Sequence, residues 1–142
     1  MNRPLYESSN DLTNEQRVAA NLSTLWKADF HKLPRSYHVD WMACRDNQTV
    51  AFAELKCRQN KRLAYPTFMI SLAKWMRGKE LAKEAGVPFI IIVDWTDGTF
   101  FLKVQNQPVT YGFGGRKDRN DLQDMEPVVF IDTSYFMTTK VK

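Results

Sequence analysis

Apolar residues recur at helical spacing through Val18, Ala19, Leu22, Leu25 and Trp26, and Thr13-Asn14-Glu15-Gln16 has the capping-box form that satisfies free amides at a helix start. A first helix is expected from Thr13 to about Ala28, with Glu15 on its apolar stripe. Phe30 to Leu33 reads as a short strand, Pro34-Arg35-Ser36 as a turn and Tyr37 to Arg45 as extended chain. After a turn at Asp46-Asn47-Gln48, Thr49 to Cys57 alternates. This puts Val50, Phe52, Glu54 and Lys56 on one strand face and Ala51, Ala53, Leu55 and Cys57 on the other. The pattern predicts a strand-turn-strand hairpin.

Phe68, Leu72, Trp75 and Met76 follow the helical period, and Gly86 and Pro88 end it, so a second helix is expected from about Pro66 to Ala85. Gly78 in its middle marks a bend or a close contact. Pro88 to Val93 is unbroken and rich in β-branched residues, the mark of a strand buried on both faces. Asp97-Gly98 turns it into a partner at Thr99 to Val104. No regular element is expected from Gln105 to Glu126, where Gly112, Gly114 and Gly115 suggest a mobile loop, and Val128 to Ile131 reads as a last, edge strand.

The chain of 142 residues, 44% of them hydrophobic, is the size of one domain with a real core. Its net charge of +4 is compatible with a polyanionic partner without requiring one. Basic residues cluster at Lys56, Arg58, Lys61 and Arg62, at Lys74, Arg77, Lys79 and Lys83, and at Arg116, Lys117 and Arg119. Two cysteines, Cys44 and Cys57, and two histidines assemble no zinc pattern. Met1 to Asn10 has no apolar segment, and the run Val87 to Val93 is too short to cross a membrane, so a cytoplasmic protein with reduced thiols is expected.

Cleaving a phosphodiester needs a divalent cation to polarise the phosphate and activate water, and hard cations demand oxygen ligands. Glu54-Leu55-Lys56 places a carboxylate and an ammonium on one strand face. A turn centred on Asn47 brings Asp40 opposite Glu54, where the two share a metal with the Leu55 carbonyl as a further ligand. A turn centred between two residues breaks that alignment.

A helix, a hairpin bearing Asp40, a strand bearing Glu54-x-Lys56, a second helix and a buried strand resemble the restriction-endonuclease-like PD-(D/E)XK core over about residues 13–95, with 96–142 as a C-terminal extension. The resemblance implies an αβββαβ core, a mixed central sheet flanked by helices, in an α/β fold. It implies that Asp40 and Glu54 bind Mg2+, for which Mn2+ can substitute, that Lys56 assists the water or phosphate, and that Glu15 is the first-helix acid of many members. Small phage nucleases and archaeal-type Holliday-junction resolvases are similar in size and layout, and junction cutters act as homodimers. The chain departs from the pattern in having Val39-Asp40 for Pro-Asp and no Gln-x-x-x-Tyr on the second helix.

The expected function is metal-dependent hydrolysis of DNA, with branched DNA or a Holliday junction as a candidate substrate. Arg58, Lys61, Arg62, Arg116, Lys117 and Arg119 suit backbone phosphates, and Ser71 and Lys74 face the site or a phosphate. Each has a plainer alternative. Glu15 suits a helix dipole, Ser71 the edge of the core, the cations solvent, and Asp40 with Glu54-x-Lys56 a solvated cross-strand charge group. For His38, two residues before Asp40, the structural role outweighs that of a base. The competing function is a nuclease-like fold that binds nucleic acid or a protein partner without cutting.

Overall fold

The computed structural model describes residues 9–115 and 125–139. In chain order the elements are α1 (Ser9–Trp26), β1 (Asp29–Lys32), β2 (Trp41–Arg45), β3 (Gln48–Cys57), β4 (Thr67–Ser71), α2 (Leu72–Ala85), β5 (Phe89–Trp95), β6 (Gly98–Lys103), β7 (Thr110–Gly115), β8 (Met125–Asp132) and β9 (Met137–Thr138). Six strands form a central sheet in the order β1-β2-β3-β5-β6-β9, parallel between β3 and β5 and antiparallel elsewhere. The other three form a small antiparallel sheet in the order β4-β8-β7.

α1 lies on one face of the central sheet, where Val18, Ala19 and Leu22 pack with Trp41, Ala53, Leu55 and Ile92. The opposite face carries the larger core, in which Phe52, Phe89, Ile91 and Val93 meet Trp75 of α2 and Phe68, Val129 and Ile131 of the small sheet. Ile91, Ile92 and Val93 are each 0% exposed, as their uninterrupted apolar sequence predicts for a strand covered on both sides. At the end of α1, Lys27 turns into the left-handed region (φ 54°). There the Arg45 guanidinium of β2 donates to the Trp26 and Lys27 carbonyls at 2.7 and 3.1 Å, closing the helix with a cation.

Several expectations are corrected. α1 begins by Ser9, since none of Ser9 to Leu12 breaks a helix and the capping-box pattern at Thr13 lies within it. Leu25 is exposed rather than part of the buried stripe. Residues 35–37 form a 3-10 turn and His38 follows in the left-handed region (φ 60°), so His38 shares no strand face with Asp40, which lies just before β2. The helical reading of Pro66 to Ala85 is half right: Thr67–Ser71 is a strand that buries Phe68 and Ile70 and exposes Met69, and α2 starts only at Leu72. The spacing from Phe68 to Leu72 was accidental, and Met76 is exposed. Within 105–126, Thr110–Gly115 is strand β7 rather than a loop, its Gly112 and Gly114 packed against Phe130, Met69 and Val128. β8 is the centre of the small sheet rather than an edge.

Candidate active site

The β2–β3 hairpin sets the site through a compensated register. Asp46 and Asn47 both take left-handed backbone (φ 53° and 61°), the geometry of a two-residue type I′ turn, and Arg45 pairs with Gln48 and Cys44 with Thr49. Continued regularly, that turn would set Asp40 opposite Ala53, whose side chain faces α1. A bulge intervenes, so that Ala43 pairs with Ala51 and Trp41 with Ala53. The next position brings Asp40 opposite Glu54. Val50, the extra residue, does not share the Glu54 face as strict alternation predicts; it lines an apolar cavity with Ala51 and Ala53.

Six side chains then form an alternating chain of charge. Lys32 Nζ lies 3.4 Å from Glu15 Oε1 and 3.8 Å from Asp40 Oδ1. Lys74 Nζ reaches Asp40 Oδ1 at 3.4 Å and Glu54 Oε1 at 2.7 Å, and Lys56 Nζ is 3.4 Å from that same Glu54 oxygen. β3 supplies Glu54 and the residue just before β2 is Asp40, α2 places Lys74 across the pair, and β1 carries Lys32, whose neighbour on β2 is Trp41. Glu15 reaches this group from the buried stripe of α1, through Lys32.

Burial favours the neutral form of both central carboxyls. At Asp40 the ammonium groups of Lys74, Lys56 and Lys32 outweigh it and hold the carboxyl below its ordinary range. At Glu54, which is wholly enclosed, burial prevails over Lys74 and Lys56 and raises the pKa. Burial also opposes charge on Lys74, but Glu54 and Asp40 more than compensate and hold its pKa above the ordinary lysine value.

The donor set fits a hard divalent cation. Asp40 Oδ2 and Glu54 Oε2 are buried without a hydrogen-bond partner, and paired, unsatisfied carboxylate oxygens are the ligands such an ion takes. Among the described residues no three His, Cys, Asp or Glu side chains converge, so further ligands have to be backbone oxygen, water or phosphate. Leu55 lies between Glu54 and Lys56 with its side chain in the core under α1.

Other residues singled out from the sequence are spread more widely. Ser71 precedes α2 and is half-buried one turn before Lys74, making no side-chain cap bond. Arg58 lies over the Phe68 ring, Arg62 over Phe100, and Lys61 is exposed ahead of a 3-10 turn at Arg62–Ala64. Arg116, Lys117 and Arg119 lie outside the described residues. Trp41, Trp75 and Trp95 are core residues, 3 to 4% exposed, whereas Cys44 and Cys57 are half-buried and free. Sequence reasoning missed Lys32. Its signal was a strand expected just before Asp40, but placing a lysine there beside Asp40 required the β1–β2 register.

A mixed sheet with a helix on each face, an Asp and Glu-x-Lys meeting across a hairpin, defines the restriction-endonuclease-like class of fold. A family model described as "Phage putative PDDEXK endonuclease" matches residues 1–139, and the chain belongs to that family. Among solved structures, it is similar to Archaeoglobus fulgidus Hjc, a Holliday junction resolvase from an archaeal hyperthermophile. The TM-score is 0.55 at 17% identity, over 87% of this chain and 84% of that one. No curated protein sequence matches significantly.

Proposed function

We propose that the protein is a divalent-metal-dependent endonuclease that hydrolyses DNA, with Asp40, Glu54 and Lys56 as its working residues. The observation that carries this reading is the meeting of Asp40 and Glu54 around one cationic group, with a buried oxygen of each left unpaired. Asp40, Glu54 and the Leu55 carbonyl would hold Mg2+ or Mn2+, which would supply charge for the phosphate and a more acidic water. Asp40 is kept ionised by the three lysines around it, and a bound cation would offset the burial that raises the Glu54 pKa. Lys56, 33% exposed with its ammonium 3.4 Å from Glu54 Oε1, would stabilise the negative charge that builds on the phosphate. Glu15 acts through Lys32 to steady Asp40 and is a positioning residue. Arg116, Lys117 and Arg119 serve as backbone contacts in the same reading.

Likeness of fold to a Holliday junction resolvase favours branched DNA among the possible substrates, and a homodimer would bring two active sites to the two strands of such a substrate. The test is single-turnover cleavage of labelled branched and linear DNAs with Mn2+, alongside calorimetric cation binding. Asp40→Ala and Glu54→Ala should abolish cleavage and weaken cation binding. Lys56→Ala should lose about a hundredfold or more in rate, the scale of one electrostatic donor, while binding cation and DNA nearly as before. Undiminished cleavage by Glu54→Ala would take the Asp40–Glu54 pair out of the reaction, and no metal-dependent cleavage by the parent chain would leave a fold that binds without cutting.

A further inference from the structure

Beyond Lys56 the site face of the central sheet runs into a groove of about 290 Å3 between the end of β3, the start of β4 and the end of β5. Arg58 is two positions past Lys56, and its amide continues the strand pairing by donating to the Asp94 carbonyl at 2.9 Å. The two side chains therefore leave the sheet on one side, separated by roughly 7 Å of strand. The Arg58 guanidinium lies 5.1 Å from the Phe68 ring centroid, and that of Arg62 lies 4.7 Å from the Phe100 centroid. Arg62 is anchored by its Nη1, which donates to the Thr133 carbonyl at 3.0 Å, while its Nε is buried without a partner. Tyr65, 64% exposed, and Met69, 37% exposed, line the groove beside them.

Here two guanidinium groups sit over aromatic rings at a recess that has an exposed tyrosine among its walls. Planar cations combined with aromatic rings form a platform for the π-face of a base, which a nucleotide offers only when it is unpaired. We propose that this groove takes an unpaired nucleobase of the substrate strand, next to the phosphate that a cation on Asp40 and Glu54 would hold. Tyr65 stacks on the base, and Arg58 and Arg62 supply its cationic bed. The inference rests on the nuclease reading for the direction of the strand, but base binding itself requires no metal.

Its test is fluorescence anisotropy on the full chain in chelator, with labelled oligothymidylate and a blunt duplex of equal length as probes. Tyr65→Ala should weaken oligothymidylate binding about tenfold, the scale of one lost base stack, and leave duplex binding unchanged, while Tyr65→Phe should bind both probes as the parent chain does. Photo-cross-linking of an iodouracil-substituted strand should map to Tyr65 or its neighbours. Equal losses for both probes would make the groove a general phosphate contact, and no loss, or no oligothymidylate binding at all, would also overturn the proposal. Failure of the nuclease reading is separable, because it appears as absent cleavage in Mn2+ with metal-free base binding intact.

Discussion

Lys74 is the residue on which the metal-free site turns. Its ammonium is 2.7 Å from a carboxylate that is 0% exposed, and removing one partner of such a buried pair costs about 3 to 5 kcal/mol. Lys56 at 3.4 Å remains as a second counter-charge, so Lys74→Met should lower stability by roughly 2 to 3 kcal/mol in denaturant unfolding at neutral pH. Because its folded pKa is raised, the contribution of Glu54 is fully present below the ordinary value of 4.5 and is lost as pH rises through the raised value. Without Lys74 that rise is larger. The deficit of the variant should therefore shrink in acid, where Glu54 holds a proton, and grow as pH rises from 4.5. Mn2+ should stabilise Lys74→Met more than the parent chain, since the ammonium nearest the carboxylate pair no longer competes for it. A deficit independent of pH and untouched by Mn2+ would show that Lys74 is packing rather than counter-charge.

At the scale of elements, α2 is pressed onto the central sheet at Gly78. A Cβ there would stand 2.4 Å from the Phe89 ring, so the glycine marks a close contact rather than a bend. Gly78→Ala should cost about 1 to 3 kcal/mol despite the better helix propensity of alanine, because the helix and the Phe89 ring have to part. A variant as stable as the parent in denaturant melts would mean that the helix moves freely on the sheet. The helix and strand of 67–85 were confounded in the sequence for a related reason. Phe68 and Leu72 stand four apart, which satisfies a helical period, while Phe68 and Ile70 satisfy a strand period equally well. What settles the matter is β8, whose Val128 to Asp132 pairs with all of Thr67 to Ser71.

At the scale of the whole molecule, the second sheet belongs to the core that supports the site. Val129 and Ile131 are 0% exposed and Phe136 is 4% exposed, all against the β5 and α2 side. β4 has β8 as its pairing partner. A chain ended after Lys103 keeps every residue of the expected core at 13–95, yet it should lose near-ultraviolet circular dichroism and cooperative unfolding. A sharp, reversible melt in that shortened chain would make the C-terminal part an appendage. Much of this protein was written locally: the apolar stripe of α1, the buried run of β5, the turns at Asp46-Asn47 and Asp97-Gly98, and Asp40 with Glu54-x-Lys56 as the chemistry to watch. Such features depend on neighbours within a few residues, where periodicity and turn preference act. Tertiary structure alone decided the rest. The turn at Asp46-Asn47 would have misaligned Asp40 and Glu54 by one position, and the bulge at Val50 restores them. The same packing brought Lys32 from β1 and Lys74 from α2 to one pair of carboxylates. Register and the meeting of distant side chains are fixed by packing across elements, and no window of sequence contains both partners.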